Sequence, residues 1–348
     1  MGLRAFIIRR LILLIPTLLG TTLLIFAVTQ LFDPVQRVSL YIRSERGFTN
    51  EAIEKTIQAY GLRDPAYLQF FRWLREVLNG NLGYSKIGKM PVIDAIVTRF
   101  PATLELVMFA APLIILIGIF LGVKSAVNRD KPVDHVTRTV SIIGMSLPSF
   151  WLGIILLAVF YVGLGVFPPG RLSVGDAKNL VLASGTGFIR YTGLMTVDGI
   201  LNGQLWITWD ALQHIVLPVT VLTTISMGGL LRITRSSMLE ALNKGYVVTA
   251  RAKGLSQKEV INKHARRNAL IPTITISGMM IAGMLNGLII TETVFGYGGI
   301  GKWSADSAVA LDIASVLGFT LFSGFLFVVA NLIVDILYAY IDPRIRLD

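Results

Sequence analysis

Two stretches carry the spacing of phosphate-binding loops. Residues 83–90, GYSKIGKM, fit G-x-x-x-x-G-K, in which backbone amides and a lysine cradle phosphate oxygens. Met90 stands where that chemistry needs a magnesium-ligating hydroxyl, and no apolar strand leads into the loop, so nucleotide binding is not expected there. Residues 296–301, GYGGIG, fit the G-x-G-x-x-G of a dinucleotide turn. A long apolar run precedes them, however, and glycines in that setting serve tight turns and close packing. Nucleophilic chemistry finds no constellation either. G-x-S-x-G and H-E-x-x-H are absent, and Ser146 and Ser149 lie beside Pro148 in an apolar stretch, where hydroxyls re-satisfy the backbone of a proline kink. With three scattered histidines and no cysteine, a histidine-built metal centre, thiolate ligation, disulfides and a cysteine nucleophile are excluded. The expectation is no catalytic residue, no metal and no cofactor.

The informative polar segment is 234–272, TRSSMLEALNKGYVVTARAKGLSQKEVINKHARRNALIP. Glu240 and Lys244 form an i, i+4 pair that prolongs the preceding helix, and Gly245 interrupts it. Residues 246–253 make roughly two turns, and Gly254 supplies a left-handed stop. Ser256 and Glu259 have the spacing of a capping box, which starts a new helix running through His264 and Arg267 toward Pro272. The product is a short helix held crosswise between two longer ones. Its small residues Ala250, Ala252 and Gly254, flanked by Arg251 and Lys253, suit docking into a groove on a partner. A basic loop resting on anionic lipid headgroups is the alternative. The sharp glycine stop with a capping box behind it favours a defined partner.

The elements that carry this segment belong in a membrane. Of 348 residues, 53% are hydrophobic and only 15% charged, against about 25% charged in soluble domains, and the mean hydropathy is +0.67. Apolar runs at 11–32, 102–126, 140–166, 212–233, 272–294 and 313–340 predict an all-α polytopic membrane protein with six transmembrane helices. The first run exceeds the apolar core of a signal peptide and no small-x-small site follows it, so it is expected to stay uncleaved. With both termini inside, the cytoplasmic segments hold eighteen lysines and arginines and the two short outer loops hold four, which fixes the expected orientation. The net charge of +11 is thus a topology signal, and nucleic-acid binding is not invoked. The expected domains are 1–32, a membrane helix; 33–100, an extracytoplasmic helical cap; and 101–348, a five-helix core containing the 234–272 loop.

Within the cap, residues 50–60 have helical spacing with Asn50 as cap and Gly61 as stop, and a second helix follows Asp64 and Pro65 and ends near Gly80. Tyr67, Phe70, Phe71 and Leu74 give it an aromatic face. The second outer loop, 167–211, reads as irregular structure ending in the interfacial Trp206 and Trp209. Polar groups inside the spans, Glu105, Asn286, Glu292, Asn331 and Asp335, are candidates for lining a translocation path, since lipid-facing placement is costly. Hydrogen bonding between helices is the standing alternative for each, and for Asp335 a pairing with the tail at Asp342, Pro343 and Arg344.

TARAKGL and HARRNALIP, within 249–272, resemble the loop signature of binding-protein-dependent ABC transporter permeases of the dipeptide/oligopeptide/nickel type. RRLILLIPTLLGTTLLIF (9–26), FPATLEL (100–106), TETVFGYGGIGKW (291–303) and IVDILYAYIDPRIR (333–346) agree, so the likeness spans nearly the whole chain and is greatest to the first permease subunit type. The resemblance implies a cell-membrane importer subunit whose loop, Val248, Thr249, Ala250, Arg251, Ala252, Lys253, Gly254 and Leu255, couples to a partner. Ala250 and Gly254 match the small-residue core of the motif, Val248 stands at its glutamate position, and Arg266 and Arg267 replace its Leu-Pro ending. Tyr297 and Gly298 replace a proline-containing pair in the outer turn. The implied partners are a second homologous permease subunit, two ABC ATPase subunits, an extracytoplasmic substrate-binding protein landing on 33–100 and 167–211, and membrane lipid. Peptides are the implied substrate, with short oligosaccharides or nickel as alternatives. An ion-driven secondary transporter is the rival class; it would place titratable pairs or repeated broken helices at the midplane, and neither is evident.

Overall fold

The computed structural model describes residues 3–42, 49–182 and 187–341. Helix α1 (Leu3–Thr29) is followed by a small outer segment with a single turn at Pro34–Arg37 and helices α2 (Asn50–Tyr60) and α3 (Ala66–Leu78). The strands β1 (Tyr84–Ser85) and β2 (Met90–Pro91) pair antiparallel and lead into α4 (Val92–Val127). Helices α5 (Pro132–Ser146) and α6 (Ser149–Gly163) form a bent pair, and two short helices, α7 (Asp176–Leu182) and α8 (Met195–Leu201), precede α9 (Leu205–Leu242). After α10 (Gly245–Ala252) come α11 (Gln257–Leu285), α12 (Ile289–Val294), α13 (Ile300–Val309) and α14 (Ile313–Ile341). Among the described residues, α1, α4, α9, α11 and α14 are each long and apolar enough to cross a membrane, and the α5–α6 pair makes a sixth crossing.

Several boundaries differ from the hydropathy reading, each for a local reason. Helix α4 starts at Val92, ten residues before the apolar run, and its 36 residues span about 54 Å against roughly 30 Å of hydrocarbon. Its first turns therefore stand outside the apolar layer. The third crossing, expected as one span, is bent by 97° between α5 and α6. Pro148 lacks an N–H and disfavours helical backbone at the residue before it, and Leu147 is extended at φ −76°, ψ 128°. The Ser146 hydroxyl donates to Ile142 O (2.8 Å) in the last turn of α5. The expected 272–294 span breaks after Leu285, where Gly287 takes φ +112° and Gly301 packs so close that a Cβ would meet its Cα at 2.8 Å.

The two helices between α1 and α4 form where the spacing places them. Thr49, not Asn50, caps α2, accepting from Ala52 N, while Gly61 ends it at φ +59°. The buried face of α3 is Gln69 and Trp73, with Phe70 stacked edge-on against Phe26 of α1 at 5.3 Å; Tyr67 and Phe71 point away. Gln69 goes inside because its amide is fully used, accepting from Arg37 and donating to Leu62 O and Asp64 O. The loop 167–211 is more regular than expected, containing α7, α8 and the start of α9, with Trp206 and Trp209 exposed.

Helix α9 runs through the middle, packed on α4, α5 and α11. Gly118 and Gly122 let α4 approach it: a Cβ at Gly122 would lie 2.6 Å from the Thr234 Cβ and 2.9 Å from Leu231 O. One end of the bundle carries the outer segment, α7, α8 and the α12–α13 turn, and the other carries α10. The native chain has no cysteine, so single-cysteine variants report sides directly. Arg75→Cys on α3 is expected to react with an impermeant maleimide in intact cells, and Lys258→Cys only after permeabilisation. Labelling of both from one side would overturn the topology.

Candidate functional site

The loop between α9 and α11 forms the short helix expected of it. Lys244 pairs with Glu240 (2.8 Å), and helix α9 ends there. Helix α10 starts at Gly245, one residue before the expected run, and Gly254 takes φ +78°. Ser256 Oγ accepts from Glu259 N while the Glu259 carboxyl accepts from Ser256 N (3.3 Å), closing the capping box. Helix α11 then runs without a break through a wider-wound stretch, Val260–Ala265, into the membrane.

Burial divides the eight loop residues. Ala250 and the neighbouring Val247 face inward, packed with Ala126 of α4, Met238 and Ala241 of α9, and Val260, Ala265 and Ala269 of α11. Val248, Thr249, Arg251, Ala252, Lys253, Gly254 and Leu255 are exposed. Helix α10 is thus seated on the start of α11, in a cluster of mostly small side chains that α4 and α9 complete. Its free face mixes Val248 and Leu255 with two cations. Ala250, matched by type to the docking motif, belongs to the seat.

About 30 Å away along α4, Glu105 and Glu292 organise the opposite end. Both are essentially fully buried. Glu292 accepts from Thr103 Oγ1 (2.6 Å), Leu288 N (3.3 Å) and Lys302 N (2.7 Å), and Thr103 Oγ1 accepts from Ile300 N (3.0 Å). These amides belong to the first turns of α12 and α13, which no intrahelical carbonyl can satisfy. One carboxyl therefore caps two helices, and a Cβ on Gly299 would lie 2.5 Å from it. Glu105 accepts from Arg171 Nε (3.1 Å) and Nη2 (2.8 Å), Thr196 N (2.8 Å) and Oγ1 (2.9 Å), and the Tyr297 hydroxyl (3.2 Å). Burial first, then Glu105, pushes the Tyr297 phenol well above its ordinary range, so it remains a donor. For these two residues the structure shows bonding between elements. Asn286 donates to Ala282 O (2.9 Å) at the end of α11 and Asn331 is half-buried on α14. Asp335 is also on α14, but its side chain and the tail at 342–348 lie outside the described residues. Among the described side chains, Glu105, Asn286, Glu292 and Asn331 share no hydrogen bond with one another.

Other organising residues escape a reading of spans alone. Asp134 at the start of α5 accepts from Arg235 Nε and Nη2 (both 2.7 Å) and from Ser125, joining α5 to α9 and α4. Asp198 gathers Thr192 N (2.8 Å) and Gly193 N (2.9 Å), and Asp312 accepts from Ser85 Oγ (3.2 Å) and Ile87 N (3.1 Å). These partners are distant in sequence or held by irregular backbone, so no spacing announces them. The four-residue spacing of Gly118 and Gly122, which a reading of spans also passes over, is the signal that marks the approach of α4 to α9.

Residues 114–347 match the family of binding-protein-dependent transport system inner membrane components. The chain is 38% identical to the oligopeptide transport system permease protein AppB of Bacillus subtilis, over 98% of this chain and 99% of that protein. It is 40% identical to the di/tripeptide transport system permease protein DppB of Pseudomonas aeruginosa, over 98% of each. A crystal structure of an amino acid ABC transporter with histidines aligns at a TM-score of 0.48 and 13% identity, covering 77% of this chain and 97% of that one.

The outer turn yields a graded prediction. Gly299→Ala drives a methyl into Glu292 and Thr103 and is expected to cost about 3 kcal/mol. Gly298→Ala meets no atom within 4 Å and carries only the strain of φ +63°, about 1 kcal/mol. Thermal unfolding in detergent ranks the two; equal shifts would refute the double-capping role of Glu292.

Proposed function

The chain belongs to the family of inner membrane components of binding-protein-dependent transport systems, and on that premise we propose that it is the peptide-conducting permease subunit of an ATP-driven importer, coupled to its motor through α10. It is a multi-pass inner-membrane protein. The relatives named for oligopeptide and di/tripeptide transport, at 38–40% identity over nearly the full length, support peptides as the substrate class. The partners are a second homologous permease, two ATPase subunits and an extracytoplasmic binding protein that lands on the outer segment and the 167–211 loop.

The observation that carries the coupling role is the asymmetry of α10. Its inner face packs on the start of α11, in an apolar cluster to which α4 and α9 also contribute, and its outer face is exposed. A push on that face bears directly on α11 and, through the shared cluster, on the ends of α4 and α9. Driving a two-state equilibrium from 1:99 to 99:1 takes about 5.5 kcal/mol of differential binding. A surface ion pair supplies about 1 kcal/mol at most, so the bias must come from a protein partner that changes shape. Closure of the ATPases around bound nucleotide fits that need.

The complete transporter in proteoliposomes tests this reading. Val248→Asp and Leu255→Asp, on the free face, are expected to lower peptide-stimulated ATP hydrolysis at least about tenfold, some 1.4 kcal/mol of coupling, while membrane insertion and thermal stability stay unchanged. Ala250→Leu, in the seat, is expected to lower thermal stability as well. Unchanged stimulated hydrolysis in the two aspartate variants sinks the coupling role, and peptide uptake by the isolated chain on an ion gradient sinks the importer reading.

A further inference from the structure

The outer end holds a cavity that the coupling reading does not use. It measures about 310 Å³ and lies between the outer loop and the glycine turn, walled by Arg171, Lys178, Arg190, Met195, Tyr297 and Gly298 among others. The short outer loops, 167–211 and 295–303, carry four cations, and three of them line this one space. Among the described residues no carboxyl lines it.

The nearby acids whose side chains are described are already committed. Glu105 is held by Arg171, Thr196 and Tyr297, Asp198 by Thr192 and Gly193, and Asp210 by Ser173 N (2.8 Å) and the Ser173 hydroxyl. Arg171 gives Nε and Nη2 to Glu105 and Gly193 O, and among the described contacts its Nη1 is unused. Partial burial first, and Arg171 second, hold the Arg190 guanidinium below its ordinary value. Lys178 and Arg190 are exposed and Arg171 is half-buried; like charges gathered around one opening repel, and an anion placed between them relieves that repulsion. A guanidinium edge is shaped for a carboxylate. The volume sits at the small end of ligand pockets, about 300–1,000 Å³, which admits one or two amino-acid residues and no folded segment. Leu172, Val181 and Met195 give it an apolar wall beside the cations.

We propose that this cavity is a carboxylate-binding site, in which Arg190, Lys178 and the unused Nη1 of Arg171 receive the C-terminal carboxylate of the transported solute. Naming the solute a peptide rests on the function proposed above; the carboxylate chemistry rests on the cavity alone. Since Arg171 also holds Glu105, which holds Tyr297, an arriving carboxylate is linked to the outer turn through two side chains, Arg171 and Glu105.

The test uses the full chain in nanodiscs and three photoreactive probes: a diazirine-bearing dipeptide, its C-terminal amide, and a diazirine-bearing aliphatic acid without a peptide bond. Cross-links are mapped by mass spectrometry. The free-acid dipeptide is expected to label 171–195 or 296–298 about tenfold more than the amide. The doubly substituted Arg190→Gln, Lys178→Gln chain is expected to lose that preference at unchanged thermal stability. Equal labelling by acid and amide overturns the site, even if the complete transporter carries peptides normally. So does labelling that survives the substitutions while the binding protein loses affinity, which would assign the cations to a docking acid. Labelling by the aliphatic acid in a transporter that does not carry peptides upholds the site and removes the peptide reading.

Discussion

The outer half of the protein depends on the rule that a polar group removed from water must be answered within the chain. Lipid offers no donors or acceptors, and an unpaired buried polar group costs about 1–3 kcal/mol, more when charged. Glu292 turns this constraint into architecture. The breaks after Leu285 and Val294 leave the first amides of two short helices without intrahelical partners, and one carboxyl, with Thr103 beside it, answers both ends. Glu105 does the same for the 168–204 loop, tying it to α4 and, through Tyr297, to the same turn. Removing either acid would leave several orphaned groups at once.

The inner end is solved with small side chains where the outer end uses charge. Alanines and a valine seat α10, and glycines bring α4 against α9. Helices α4 and α9 run unbroken between the two ends, about 54 and 57 Å long for 36 and 38 residues. The crossings beside these rods are broken instead, at the extended Leu147 before Pro148 and at the left-handed Gly287.

Legibility in the sequence followed the range of the interaction. The spans, the capping box at Ser256 and Glu259, and the stops at Gly61 and Gly254 are local and were readable from spacing. Helix ends that outrun the apolar run, such as Val92, were not, because hydropathy marks the membrane and not the helix. The face of α3 was misjudged because aromaticity suggested burial, whereas the polar network around Arg37 draws Gln69 inside. Loop residue types pointed to docking, yet only packing separates Ala250 in the seat from Val248 on the free face. Partners such as Asp134 and Arg235, 101 positions apart, leave no trace in spacing.

The phosphate-loop lookalike at 83–90 shows how far a spacing match can stand from its chemistry. Its ends pair as the two-residue strands Tyr84–Ser85 and Met90–Pro91, with Lys89 in left-handed backbone at φ +52°. The loop amides that would face a phosphate are taken: Ile87 N donates to Asp312 (3.1 Å) and Gly88 N to Ser85 Oγ (2.7 Å). Asp312 in turn holds the start of α14 through Ser315. The loop therefore closes on an anion supplied by its own chain, fastening the outer segment to the last membrane helix. A segment committed to that fastening cannot open for nucleotide without releasing α14.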